Sequence, residues 1–358
     1  MDRHLDAIDG LRGIAIALVV AYHSWLVYGS SLGLLSQAGF LGVELFFALS
    51  GFCMFYPFAR AKFFGTPAPE WGQYAYRRAI KIVPSYLVAL TVFALCYARR
   101  DGSDHTAIGY AAHVLFVHPL LPHQFQSISG PLWTIGVEVQ FYLIFPLLAS
   151  LFVRRPLLGA ATVAVVATAY RVAVLLVNPD PGFFPSNQVI AFLDLFGAGM
   201  LAAYAVAWAH SRPAHVDIRP AATAVAVTSV VVAGAGMVAF ARSDAMTDSS
   251  VFFVWQLHWR LAIAVVLFAL VAATTLALPA LRRIVANPVT TFLAVVSYNL
   301  YLWHLEILAF GQREGLALPV ALFGAIAVAA AVTYGLERPL LAARFFGTPA
   351  RRQSVQTA

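Results

Sequence analysis

The chain has 358 residues, of which 61% are hydrophobic and only 11% charged, and its mean hydropathy is +0.79. That is too little charge to cover the surface of a soluble domain, and apolar runs of about 20 residues, each long enough to cross a bilayer as a helix, recur along the whole length. The formal charge of +7 would suit a nucleic-acid partner, but the placement of the basic residues points to membrane topology instead. The only cysteines, Cys53 and Cys96, lie in apolar runs and have neither disulfide-framework nor metal-site spacing.

The fold class read from this pattern is an all-α polytopic membrane protein with about ten transmembrane helices. In chain order the spans are expected at 13–28, 39–58, 82–98, 131–152, 157–177, 188–209, 221–241, 254–278, 289–310 and 316–336. The first run is long and its end, VAYHSWLVYG, lacks a small-x-small site, so it is not read as a cleaved signal peptide. With the N-terminus inside, seventeen basic residues (among them Arg3, Arg60, Lys62, Arg154, Arg155, Arg282 and Arg283) fall on the inner side. Four fall outside: Arg99, Arg100, Arg242 and Arg313. That asymmetry obeys the positive-inside rule and is read as placing both termini in the cytoplasm. The segment 105–125 is apolar but short and broken by Pro119 and Pro122. It is read as a re-entrant or interfacial piece on the outer side. Residues 1–340 form a single transmembrane domain, and 341–358 a short, flexible cytoplasmic tail. The string FFGTPA occurs twice, at 63–68 and 345–350; no larger repeat accompanies it.

Ionisable groups inside spans are costly and default to functional roles. Counted at about 1.5 Å per helical residue, His23, Glu44, Glu138, Arg171, Asp194, Arg260 and His304 all fall roughly 7–11 Å below the outer edge. Seven spans thus place a polar group in one layer. Arg12 and His23 are eleven residues apart, which leaves only about 20° of rotation, so they share a helix face at about 16 Å axial separation. A fixed cation stands at the cytoplasmic edge and a ring suited to proton exchange near neutrality stands in the layer. Arg77, Arg78 and Lys81 precede the third span. Arg78 and Lys81 share a face, and with Arg12 they make a candidate phosphate pocket. The alternative for these cations is an orientation signal with anionic-lipid contacts. Arg171, Arg260 and Asp194 are also consistent with plain buried ion pairs.

Six stretches carry a family resemblance. LDAIDGLRGIAIALVVAYH, GFLGVELFFALSGF, RRAIKIVPSYL, GPLWTIGVEVQFYLIFP, VSYNLYLWH and LERPL lie in this order from residue 5 to residue 340. Together they resemble the acyltransferase-3 family of integral membrane O-acyltransferases, in its stand-alone form without a hydrolase-like extension. The resemblance implies transfer of an acyl group, acetyl in the family's usual form, from acyl-coenzyme A to a hydroxyl of a sugar or glycosylated acceptor. It implies catalytic roles for His23, Glu138 and His304 and cofactor-binding roles for Arg12, Arg78 and Lys81, with Arg77 beside them; Glu44, Trp133, Tyr142 and Arg260 are read as substrate contacts, the alternative for Trp133 and Tyr142 being packing or interface aromatics. The sequence departs from the family at Lys81, where arginine is usual, so the charge is kept and the bidentate fork lost. It also departs at Glu44, often Asp, at Val139, often a second glutamate, and at Glu306, where an apolar residue or proline is usual.

On this reading His23 is the general base, and Glu138 orients it or stabilises its imidazolium, as the acid does in a hydroxyl–histidine–carboxylate relay. Direct transfer and an acyl-histidine intermediate are both open. Acyl-CoA is the co-substrate. His113, His118 and His123 lie five apart, which is no helix-face ligand spacing, so no metal is expected. Membrane lipid and a sugar, polysaccharide or glycosylated small molecule are the expected partners. The competing class is a proton-coupled transporter that uses the polar layer as a relay. Against it stands the absence of an inverted repeat.

Overall fold

The structure is a computed structural model and describes residues 6–29, 34–101, 105–212, 217–246 and 248–343. Arg3, Arg344, Arg351, Arg352, the second FFGTPA string and nearly all of the tail lie outside the described residues.

Among the described residues there is no strand, and ten helices are long and apolar enough to cross a membrane. We label them α1 (Asp6–Tyr28), α2 (Leu41–Phe64), α3 (Trp71–Asp101), α4 (Leu132–Arg154), α5 (Pro156–Val177), α6 (Leu193–Ser211), α7 (Arg219–Ala241), α8 (Ser249–Leu276), α9 (Pro288–Arg313) and α10 (Leu318–Val332). The expected spans are all present, but α1 and α3 begin well before their apolar runs. Hydropathy marks where a helix meets lipid, not where its hydrogen-bond ladder starts. The early turns of α1 therefore carry Asp6, Asp9 and Arg12, and those of α3 carry Arg77, Arg78 and Lys81.

Local chemistry sets several ends. Asn287 caps α9 by accepting from the backbone N–H of Val289 (2.9 Å) and Thr290 (3.1 Å), with Pro288 at the first helical position. Gly65 closes α2 in the left-handed region, φ 65°. α10 runs into a π-helical turn, Thr333–Glu337, before the short helix Arg338–Ala342. Such wide turns place side chains off the regular helical register.

The segment 105–125 forms no crossing helix. It folds as a ten-residue helix, His105–Val114, then turns and a short 3₁₀ piece, His118–Leu120. Phe116 (φ 56°) and Ile128 (φ 67°) adopt left-handed backbone here, which is costly for bulky and β-branched residues.

α2 and α6 are the most enclosed spans, while α5, α7 and α10 are the most peripheral. Small residues let backbones touch at the central pair. A methyl group added at Gly199 would lie 1.8 Å from the Ala48 carbonyl oxygen, and one at Gly51 would lie 2.1 Å from that of Phe196. In lipid, where burial drives helix association weakly, close packing of this kind holds spans together. One apolar cluster gathers around α2, α4 and α6, and another around α1, α3, α9 and α10. Val43, Phe46 and Tyr142 pack against both. The polar interior lies along that junction.

Candidate active site

Two chambers open along the junction. The first, about 120 Å³, is lined by Arg12 of α1, Ser50 and Cys53 of α2, Arg78 and Lys81 of α3, Glu138 and Tyr142 of α4, and Tyr298 of α9. The second, about 270 Å³, is lined by His23, Glu44, Trp133, Asn187, Gln256 and Arg260 among others. Val43 and Tyr301 line both. Where the chambers meet, the Tyr301 hydroxyl lies 2.8 Å from Thr134 Oγ1, and its ring meets Phe46 edge-on.

The basic chamber brings together three of the four expected phosphate-binding residues, because α1 and α3 both present their N-terminal parts to it. Arg77 does not join them: it is exposed on a neighbouring face of α3 and is not among the lining residues. Lys81 forms an ion pair with Glu337, the glutamate of the LERPL stretch. The π-helical turn holds Glu337 in place, and Asn299 donates to both Glu337 Oε2 and Thr333 Oγ1 at 2.9 Å. The Arg78 guanidinium sits 5.8 Å from the centre of the Tyr142 ring, within cation–π range. Arg12 meets Asp9 at 4.0 Å.

Glu138 belongs to this basic chamber. Its Oε1 accepts from Ser50 (2.6 Å) and from Tyr142 (2.5 Å). Sequence places it in one layer with His23 and beside that ring. The tertiary structure puts His304 there instead. His304 Nε2 is 3.2 Å from His23 Nδ1, and the two rings meet edge-to-face at 4.8 Å between centres. His304 is fully buried, whereas the His23 ring is half-buried and reaches the second chamber.

The remaining charges of the polar layer pair with each other. Arg171 and Asp194 form a buried bridge at 2.6 Å. Arg260, fully buried, donates to Glu44 Oε1 (3.3 Å), the Ser186 carbonyl (2.7 Å), Asn187 (3.4 Å) and Gln256 (3.3 Å), and lies over the Phe192 ring at 4.1 Å. Glu44 Oε2 is buried with no hydrogen-bond partner among the described residues. Trp133 stacks between Phe125 and Phe192, at 5.5 and 5.9 Å, and walls the histidine chamber. Tyr142, read from sequence as a substrate contact alongside Trp133, lines the other chamber. Among the described residues no group of three or more His, Cys, Asp or Glu converges as a metal site would.

A family model described as an acyltransferase domain matches residues 5–338. The chain belongs to the acyltransferase-3 family. Peptidoglycan O-acetyltransferase OatA of Listeria monocytogenes is 24% identical over 329 residues, covering 86% of this chain and 50% of its own length. O-acetyltransferase OatA of Staphylococcus aureus is 27% identical over 169 residues, covering 43% of this chain and 26% of its own. The chain therefore spans half or less of the curated relatives it matches. No solved structure matches it.

Within this acyltransferase-3 chain, three site residues escaped the sequence reading. Ser50 holds Glu138, Glu337 holds Lys81, and Asn299 holds Glu337. Each stands inside a stretch that carries the family resemblance. The stretch marks the residue but not its partner, which comes from a helix far away in sequence.

Proposed function

We propose that the chain is a membrane-bound O-acyltransferase. It takes an acyl group, acetyl in view of the names its relatives carry, from acyl-CoA held at the cytoplasmic side. It passes that group to a hydroxyl of a sugar or glycosylated acceptor, and the Listeria relative's name points to a cell-wall polysaccharide. The observation that carries this reading is the pair of chambers, one basic and one holding His23, that share Val43 and Tyr301 as walls.

Arg12, Arg78 and Lys81 suit the phosphates of the coenzyme, which cations bind through charge-assisted hydrogen bonds. In this reading the nucleotide sits at the mouth of the basic chamber, beside these cations, and the pantetheine arm enters. Glu138 and Tyr142 then flank the arm. The thioester arrives near Tyr301 and His23. His23 Nε2 removes the proton of the acceptor hydroxyl, and that oxygen forms the new C–O bond at the thioester carbonyl. The C–S bond breaks, and sulfur leaves with the proton that His23 returns, giving free coenzyme A and an ester. A positioned histidine base contributes about 10²–10⁴-fold. The positive-inside asymmetry supports a basic chamber on the cytoplasmic side, with both termini there too, and the relatives' bacterial sources favour a plasma membrane (a bacterial inner membrane). Such a protein would acylate an acceptor on the far side with no acyl carrier outside the cell.

The test is release of coenzyme A from acetyl-CoA by purified protein in vesicles, with mass spectrometry of a panel of polysaccharide acceptors. Turnover that depends on acceptor and disappears in His23→Ala is expected. Equal turnover in that variant overturns the reading.

A further inference from the structure

α1 and α9 run side by side in the same direction in contact along much of their lengths. A methyl group at Gly13 would lie 2.0 Å from the Thr290 carbonyl oxygen, and one at Gly311 would lie 2.7 Å from the Tyr28 hydroxyl. This seam fixes the rise of one helix against the other, and between its ends it brings the rings of His23 and His304 together.

The hydrogen-bond partners decide which nitrogens carry hydrogen. His304 Nδ1 faces two backbone carbonyls, of Leu300 (3.0 Å) and Tyr301 (2.8 Å). A carbonyl only accepts, so this nitrogen is the N–H of the neutral ring, and Nε2 has the lone pair. His23 Nδ1 faces that lone pair at 3.2 Å and the Val19 carbonyl at 2.9 Å. Both are acceptors, so His23 Nδ1 is the donor. The one tautomer left to the neutral His23 ring bares Nε2.

We propose that His304 is the positioning residue for His23: its Nε2, together with the Val19 carbonyl, holds His23 in the tautomer and ring orientation that bare Nε2 toward the histidine chamber, the part a carboxylate plays in hydroxyl–histidine–acid relays. The inference rests on His23 being the base, and it reassigns the orienting part that the sequence gives to Glu138. A neutral orienting group also suits the place. A carboxylate beside His23 would add a further charge at a chamber already lined by the buried Glu44–Arg260 pair, whereas imidazole supplies the same acceptor without net charge.

Three variants and one spectrum test this. His304→Phe keeps the ring volume but offers no lone pair, so kcat should fall roughly 10²–10⁴-fold, as when a base loses its correct tautomer. KM for acetyl-CoA should stay unchanged. His304→Gln can bring an amide oxygen to the place of Nε2 and should recover kcat to within roughly tenfold of the parent. His304→Asn is too short to do so and should behave like His304→Phe. Wild-type rate in His304→Phe overturns the proposal, and so does His304→Gln as inactive as His304→Phe. If the Phe variant does not fold, ¹⁵N-histidine spectra of the unaltered protein decide. They should assign the hydrogen of His23 to Nδ1 and show a coupling across the hydrogen bond to His304 Nε2; a hydrogen on Nε2 with bare Nδ1, or no such coupling, overturns it. Failure of the base reading looks different: His23→Ala would then keep its turnover, whatever the tautomer.

Discussion

In the basic chamber two guanidinium groups face the cavity and only Lys81 is held closely by a carboxylate; in the histidine chamber Arg260 and Glu44 face each other. Arg12 meets Asp9 only at 4.0 Å, and Arg78 rests against an aromatic ring, so both guanidinium groups retain donors for a ligand. Arg260 spends its donors on Glu44, Ser186, Asn187 and Gln256, so it shapes the wall, and Arg171, which lines neither chamber, is bound to Asp194. What remains for chemistry there is the His23 ring. A phosphate site needs unspent charge, whereas a site for proton transfer needs one exchangeable group in a wall whose other charges are neutralised.

The largest effect on this division should come from His23→Ala. It should lower acyl transfer about 10²–10⁴-fold while leaving acetyl-CoA binding, measured by calorimetry, at its parent value. Next is Arg171→Met, which strands Asp194 in a buried place. Breaking a buried pair from one side costs about 3–5 kcal/mol, to be read as a lowered unfolding midpoint in detergent, with the effect on stability and not on donor affinity. Arg78→Ala should act in the opposite sense. Loss of a charge-assisted hydrogen bond costs about 1.5–3 kcal/mol, so KM for acetyl-CoA should rise roughly ten- to hundredfold with little change in stability. A rise in acceptor KM alone would mean that the two chambers have been given each other's ligands.

The smallest effect lies outside the spans. His113 and His118 are buried and stacked at 3.9 Å in the segment between α3 and α4. Burial pushes His113 down to about 4. Burial, and then the neighbouring His113, pushes His118 down to about 3, against an ordinary 6.5. Both rings are neutral in the folded protein, so their contribution is fully present above pH 6.5. It is lost as pH falls toward 4 and then 3, because the unfolded chain binds protons that the folded chain refuses. The unfolding temperature should therefore decline with acidity in that window, and His118→Phe should flatten the decline. A slope unchanged by His118→Phe would detach this segment from the pH response.

Much of the architecture was legible in the residues. A span is a local property, twenty apolar residues in a row, and all ten spans were found this way. The separation of Arg12 from His23 also follows from one helix alone, and in the structure the two line different chambers. That Arg171 and Asp194 would sit in buried ion pairs was anticipated, because few other states are open to charges at that depth, but which partner each takes was not. Depth was a poorer guide to Glu138. Seven residues count it into the layer of His23, yet its hydrogen bonds go to Ser50 and Tyr142 in the basic chamber.

The sequence by itself determined how many segments can cross a membrane and that a layer of ionisable side chains lies within them, since periodicity and hydropathy are written along one strand of chain. Only the tertiary structure decided who meets whom: His304 beside His23, Glu337 under Lys81, Glu44 against Arg260. These partners are separated by more than two hundred residues in each case. Their meeting depends on the rotation and axial offset of packed helices, which glycine contacts and side-chain volumes fix only once the bundle has formed.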